Sequence, residues 1–488
     1  MALEDIRNFR IEKLKKLKEA GILAYPIESQ KDADIADILK KWGTFAKKKK
    51  ETCLAGRIMA LRGQGALIFV DLDDGTGKIQ ALLKRDVVGE ASTRLFEETA
   101  DLGDFVEITG TFFVTKRGEK TIEVKKWKML AKSLRPLPEK WEGLKDPEEQ
   151  MRRRYLHLLS DPSAKERFIK RSKLISEIRN FLDKDGYLEV ETPILQTLYG
   201  GASAMPFTTR YNALNTDFYL RISPELYLKR LLIAGFPKVY ELNRNFRNEG
   251  IDVTHSPEFT MLEFYAAYKT AADQRNFVEK LIKALVKKTE GQPSFKNSGE
   301  TIDVSRKFVV VSYYDLFKKY AGVLQPEKLS QNEAMIEAER LGIKIETGDN
   351  LPKILDNIYK KMCRPKLIQP TFVTDFPVEY LPLAKRKEDD PSLVDAFQLI
   401  IAGVEIVKAF SELNDPLDQR ERFENQEKSK KLGDKEAQSL DEDFIEAMEH
   451  GMPPSAGVGI GIDRLFMLLS DTHNIRDVIL FPTLKPKN

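Results

Sequence analysis

Between Val239 and Tyr265 the chain alternates twice in a way that an antiparallel hairpin with one chemically active face satisfies. Side chains of a strand point to its two sides in turn. Glu241, Asn243, Asn245 and Arg247 therefore share one face of a first strand, and Phe259, Met261, Glu263 and Tyr265 one face of a second. An arginine, an aromatic ring, a glutamate and a tyrosine on one side make a poor solvated face and a good ligand platform. The alternative is a structural hairpin with an exposed charged side. The order Phe-Arg-Asn-Glu-Gly-Ile-Asp-Val-Thr-His-Ser-Pro-Glu-Phe through residues 246–259 is too specific for that alternative to be preferred.

The rest of the chain arranges itself around this hairpin. Residues 4–20 have the spacing of a charged amphipathic helix, with Ile6, Phe9, Leu14 and Leu17 on its apolar side and Gly21 as a stop. From Leu54 to Leu130 the pattern becomes short β-rich runs (66–72, 77–83, 105–115 and 120–127), punctuated by Asp73, Asp74 and Gly75. Such a set suggests a small barrel, and the OB-fold is the common barrel that reads single-stranded RNA. The Pro-rich, charged residues 135–150 read as a linker. The expected domains are thus 1–134, a helix plus a barrel, and 151–488, a larger domain of α+β class. Ser163 and Glu166 have capping-box spacing before a helix whose apolar face is Leu174, Ile175, Ile178, Phe181 and Leu182, with Gly186 as its end. The stretch 274–366 is mostly helical in pattern and reads as an insertion rather than a site.

Composition excludes several classes. Basic and acidic residues, 79 and 76, nearly cancel to a net charge of +3, so any contact with RNA must be local. Two cysteines, Cys53 and Cys363, and four histidines offer neither a zinc site nor a disulfide framework, which fits a reducing cytoplasm. No apolar run approaches the roughly 20 residues that span a membrane.

Phe246-Arg247-Asn248-Glu249 resembles motif 2 of the class II aminoacyl-tRNA synthetases. The helix, strand and Pro193 before it resemble motif 1, and Gly457-Val-Gly-Ile-Gly-Ile-Asp-Arg464-Leu-Phe resembles motif 3. Gly200-Gly-Ala-Ser-Ala204, Arg221-Ile-Ser-Pro-Glu225-Leu-Tyr-Leu-Lys-Arg230 and Phe410-Ser-Glu412-Leu-Asn-Asp415 are similar to signatures of the lysyl enzymes, and the likeness extends over essentially the whole chain. It implies an N-terminal anticodon-binding OB-fold, a catalytic domain built on an antiparallel sheet of six or more strands with flanking helices, and a homodimer through motif 1. It also implies activation of L-lysine by ATP with Mg2+, and transfer to tRNA(Lys).

The resemblance assigns roles by position. Arg247 bridges the ATP α-phosphate and the substrate carboxylate, a task suited to a planar guanidinium. Phe259 stacks on adenine, with Arg464 on its other side or near the γ-phosphate and Glu249 and His255 near the adenine amine and phosphate tail. Glu412 and Tyr265 meet the ε-ammonium, Glu225 and the Gly201 backbone hold the α-amino group, Glu263 stands behind them, and Phe410 walls the aliphatic stem. Arg62, Phe69 and Gln80 match anticodon-reading positions of the barrel, where a stacked aromatic beside polar side chains is the expected chemistry; for Phe69 core packing is the alternative. Two positions depart from the family. Gln398 stands where a magnesium-binding glutamate is usual, which leaves Glu405 as the metal carboxylate, and Lys408 stands where asparagine is usual. Strict alternation sets Glu405 opposite Lys408, Phe410 and Glu412, so a bulge between Glu405 and Lys408 is required if all four serve one site. Three other readings stay open: a related aspartyl or asparaginyl enzyme, which would want a cationic pocket; a lysine ligase acting on protein, which would normally lack the barrel; and an inactive RNA-binding paralogue.

Overall fold

The computed structural model describes residues 3–138, 144–346, 348–431 and 439–487. Residues 139–143, the middle of the expected linker, lie outside the described residues. The chain divides into two compact units, Met1–Lys145 and Asp146–Asn488.

In the first unit, β1 (Thr52–Gln64), β2 (Leu67–Asp73), β3 (Lys78–Lys84), β4 (Phe105–Val114) and β5 (Lys120–Ala131) close a barrel in the order β1-β2-β3-β5-β4. Closure leaves no edge strand unpaired. Alternation sorts the side chains: Ile68, Val70 and Leu72 of β2 and Ile79, Ala81 and Leu83 of β3 point into the core, beside Leu17, Ile35 and Ile38 from the preceding helices. Phe9, which helical spacing groups with Leu14 and Leu17, does not join them and is 59% exposed.

The second unit contributes β6 (Leu188–Glu189), β7 (Leu195–Gln196), β8 (Thr208–Tyr211), β9 (Thr216–Leu220), β10 (Lys238–Phe246), β11 (Glu258–Ala267), β12 (Ser294–Asn297), β13 (Glu300–Asp303), β14 (Val309–Ser312), β15 (Thr371–Pro377), β16 (Leu393–Ile401), β17 (Val404–Ser411) and β18 (Ser455–Gly461). Eight of them form one sheet, in the order β14-β15-β16-β17-β18-β11-β10-β6, antiparallel except at its two ends. Its core lies under the helices Pro162–Lys184, Ala271–Glu290 and Ile462–Leu469, which cover Tyr240, Leu262, Phe264, Val407 and Ile460.

Two expectations need correction. The helix Pro162–Lys184 is capped by Asp161, whose side chain accepts from the backbone of Ser163 and Ala164, and not by a Ser163–Glu166 box. Proline at the first helical position, with its φ preset and no N–H to satisfy, starts the helix earlier. The stretch 274–366 is also not a helical insertion apart from the site. It includes β12 and β13 and supplies β14 to the main sheet, and its Lys353 and Lys360 reach the main cavity.

Candidate functional site

A cavity of about 480 Å³ lies where β11, β18 and β17 run side by side. The hairpin register pairs Glu241 with Glu263, Asn243 with Met261, and Asn245 with Phe259. Only the Arg247 end of the β10 polar face lines the cavity; Glu241 instead forms a buried ion pair with Arg221 at 2.6 Å. Phe259, Met261, Glu263 and Tyr265 of β11 all line it.

At the closed end lies a knot of buried acids. Ser223 Oγ–H donates to Glu263 Oε1 and Tyr265 Oη–H to Glu263 Oε2, both at 2.9 Å. Lys229, fully buried, donates to Glu225 Oε1 at 2.6 Å, places the same Nζ 2.5 Å from Glu412 Oε2, and sits 5.5 Å from the Phe410 ring centroid. Burial, and then the neighbouring Glu225 charge, push the Glu263 carboxyl up to about 8 against its two hydroxyl donors. Glu412 moves the same way, by burial, with Lys229 opposing. For Lys229 burial works against the charge, but Glu225 and Glu412 outweigh it and raise the ammonium above its ordinary value.

Glycines make room for these groups. A Cβ on Gly457 would run into the Tyr265 ring and Glu412 Oε1. Gly201, at φ +83, brings its backbone against Glu225 and Ser223, where a Cβ would stand 2.9 Å from the Glu225 Cβ.

Toward the opening, the Arg247 guanidinium carbon lies 5.0 Å from the Phe259 ring centroid. Arg247 Nη2 donates to the Ile222 carbonyl at 3.5 Å, and its buried Nε has no protein acceptor. Burial pulls this guanidinium below its ordinary value, with Glu249 and Glu263 acting against it. Arg464, in the first turn after β18, donates to His255 Nε2 at 2.8 Å; the other ring nitrogen meets Asp252 at 2.8 Å. Asp463 fixes that turn, its carboxylate accepting from Thr260 N at 2.7 Å and from Arg171 at 2.5 Å.

The bulge is present. Across β16 and β17, Leu399 faces Val407 but Ile400 faces Glu405, so Ile406 is the extra residue. Glu405, Lys408 and Phe410 consequently all line the cavity, while Glu412 lies behind Gly457 and Lys229. Gln398 and Lys408 are direct cross-strand partners, and Gln398 Oε1 accepts from Tyr359 Oη at 3.2 Å. Among the described residues no group of three or more His, Cys, Asp or Glu side chains is placed to hold a metal.

On the barrel, Arg62 pairs with Phe69, and Asp71 with Gln80, so these side chains share the outer face of β1, β2 and β3. Phe69 is half-buried there, outside the barrel core. Arg62 meets Asp71 at 3.0 Å, and Gln80 Oε1 accepts from Thr121 Oγ1 at 3.0 Å.

Sequence reasoning passed over Lys229, Ser223, Lys353 and Lys360. The Glu225–Lys229 spacing of four residues was the available signal for the first, but on a helix it reads as a surface ion pair.

Residues 146–485 match the family model of class II tRNA synthetases (D, K and N), and residues 52–130 match that of the OB-fold nucleic acid binding domain. The chain is 47% identical to a lysine–tRNA ligase of Pelotomaculum thermopropionicum over 487 residues, covering 99% of this chain and 96% of that protein. It is 47% identical to that of Aquifex aeolicus over 478 residues, 97% and 80% of the two chains, and 46% identical to that of a Thermoanaerobacter species over 487 residues, 100% and 97%. No helix among the described residues is long and apolar enough to cross a membrane. The motif order, the eight-stranded sheet and near full-length likeness agree: the chain belongs to the class II aminoacyl-tRNA synthetases, in the lysine–tRNA ligase family.

Proposed function

We propose that the chain joins L-lysine to ATP, forming lysyl-adenylate and pyrophosphate, and passes the lysyl group to tRNA(Lys). The observation that carries the choice of amino acid is the closed chamber itself, where Glu225, Glu263 and Glu412 are buried beside Tyr265 and Phe410. Buried carboxylates need cationic partners, and Lys229, shared between Glu225 and Glu412, is one ammonium among three acids. An aspartate site would need the opposite charge, and a neutral asparagine amide would give no reason to bury three acids. Exchange of labelled pyrophosphate into ATP, run with each standard amino acid, should be strong with lysine alone; strong exchange with aspartate or asparagine would sink the reading.

The lysine carboxylate attacks the α-phosphorus, the new P–O bond forms as the α–β bond breaks, and pyrophosphate leaves. No side-chain nucleophile is needed; the protein orients the groups and neutralises the growing charge. Arg247, with its unpartnered buried Nε, spans the α-phosphate and carboxylate, and Phe259 supports adenine. Arg464, held on His255, and Glu249 serve the outer parts of the nucleotide. Gly201, Glu225 and Glu263 receive the α-amino side, Glu412 and Tyr265 the ε-ammonium, and Phe410 the stem.

Glu405 is a hard anionic oxygen at the cavity wall and fits a Mg2+ ion that arrives on the ATP phosphates, the usual manner of this ion. Such an ion neutralises phosphate charge when bound. With Gln398 neutral and Lys408 facing the cavity from the next strand, an ammonium takes over part of that task, pairing with a phosphate or the substrate carboxylate.

Lysine binding should depend on pH. Glu263 titrates at about 8 and Glu412 is also raised, so below pH 8 the free chamber holds protons that a cationic ligand expels. The substrate ε-ammonium, at about 10.4, stays charged throughout this range. The lysine KM should therefore fall as pH rises from 6.5 to 8, by up to about tenfold per unit for each proton expelled. The ATP KM should change much less, and a flat lysine KM would remove the raised carboxyls from the argument.

In the barrel, Arg62, Phe69 and Gln80 read the anticodon, Phe69 by stacking. Phe69→Ala should weaken tRNA charging by about 1 to 3 kcal/mol, roughly fivefold to a hundredfold, and spare lysine-dependent pyrophosphate exchange. Unfolding of the variant, measured by thermal melting, would favour packing. The helix Pro162–Lys184 and the segment after it, which exposes Leu188, Ile194 and Leu195, form the homodimer surface.

A further inference from the structure

Lys229 is absent from every step above, yet its ammonium is the most enclosed charge in the chamber. It faces Glu225 on its own helix, Glu412 and the Phe410 ring at the end of β17, and beyond them Glu263 and Tyr265 of β11. At full ionisation the three glutamates outnumber Lys229 and Arg247 by one charge, which matches the net charge of free lysine. It equally matches the net charge of arginine. Charge alone therefore does not separate the two.

Geometry does. The two oxygens of Glu412 are in different positions: Oε2 lies 2.5 Å from Lys229 Nζ, and at that distance an ammonium fills the space in front of the oxygen whatever the angle. Neither oxygen has a hydrogen-bond partner of full geometry, so what separates them is position: Oε1 lies against Gly457, which lines the cavity, and Oε2 against Lys229. A guanidinium pairs best with a carboxylate through both oxygens at once, whereas an ammonium is a compact donor that one oxygen serves. We propose that Lys229 is a specificity-determining positioning residue: by occupying Oε2 of Glu412 it leaves one oxygen for the incoming side chain, which a lysine ammonium satisfies and an arginine guanidinium does not. The inference rests on the lysine site proposed above.

The test compares Lys229→Met and Lys229→Gln with the parent chain, in ATP–pyrophosphate exchange with lysine and with arginine between pH 6.5 and 8.5. Methionine frees Oε2 and removes the charge. The kcat/KM preference for lysine over arginine should fall at least about tenfold, mainly by a gain with arginine, and the fall of lysine KM with pH should move to higher pH as Glu412 loses its nearby cation. Glutamine keeps an N–H donor for Oε2 without the charge, so the preference should persist while the pH dependence moves. A purely structural role would weaken both amino acids alike and leave the pH dependence in place. An unchanged preference in folded Lys229→Met overturns the proposal. Should that variant not fold, Lys229→Gln decides: a parental pH dependence or a lost preference overturns it, and so does failure of both variants to fold. A parent chain with no lysine-dependent exchange would instead sink the proposed function.

Discussion

Arg247→Ala slows lysine-dependent pyrophosphate exchange by about a hundredfold or more. Loss of one preorganised donor aimed at developing negative charge costs on the order of 3 kcal/mol. Arg247 is well placed to meet that figure, since it is held over Phe259 and its Nε is buried without a protein acceptor. Part of the loss will come from Phe259, which loses the guanidinium that packs on it. Adenylate formation in a single turnover separates the contributions: a misplaced adenine raises the ATP requirement, whereas a lost charge partner slows the step at saturating ATP and lysine. Parental rates in a folded Arg247→Ala protein would rule out the assigned role.

The second large effect is expected from one methyl group. Gly457→Ala directs a Cβ into the Tyr265 ring and Glu412 Oε1, and β18 has little freedom to move because Gly457 pairs with Tyr265 on one side and Phe410 on the other. Overpacking of this kind typically costs 1 to 3 kcal/mol. Because the displaced groups are those proposed to meet the substrate side chain, the cost should appear as a rise in lysine KM of roughly fivefold to a hundredfold with the ATP KM nearly unchanged. Neighbouring glycines give the scale. At Gly459 the close neighbour is the terminal methyl of Met261, which can swing away, and at Gly461 the nearest atom, in the Arg464 side chain, is 3.7 Å away. Alanine should therefore be worst at 457, milder at 459 and mildest at 461. Equal effects at all three positions would show that strand flexibility, and not the chamber, sets the outcome.

The hairpin was legible because its signal is local. Period-two alternation fixes which residues of β11 share a face, and Phe259, Met261, Glu263 and Tyr265 do line the cavity. The need for a bulge in β17 followed from the same rule, applied to Glu405 and Lys408. The polar face of β10 was legible only as a face. Whether Glu241 meets a ligand or Arg221 depends on a segment twenty residues earlier, and it meets Arg221. Lys229 shows the limit most clearly. Its spacing from Glu225 was in plain view, but what makes the pair matter is burial against Glu412, a tertiary fact with no periodic trace in the sequence. Lys353 and Lys360 were missed for a related reason: helical patterning reports which side of a helix is apolar, not what its polar side faces.

The extra residue at Ile406 means that β17 follows two different alternations, one ending at Glu405 and the other running from Val407 through Phe410. Removing one residue there would join them and turn one end of the strand inside out, because a slip of one position exchanges the two faces of a strand. Substitutions at 405, 408 or 410 exchange single side chains on the cavity wall and leave the register alone. A change in the number of residues between them does not. For anyone recutting this cavity, the spacing from Glu405 to Phe410 is a ruler to be left as it stands.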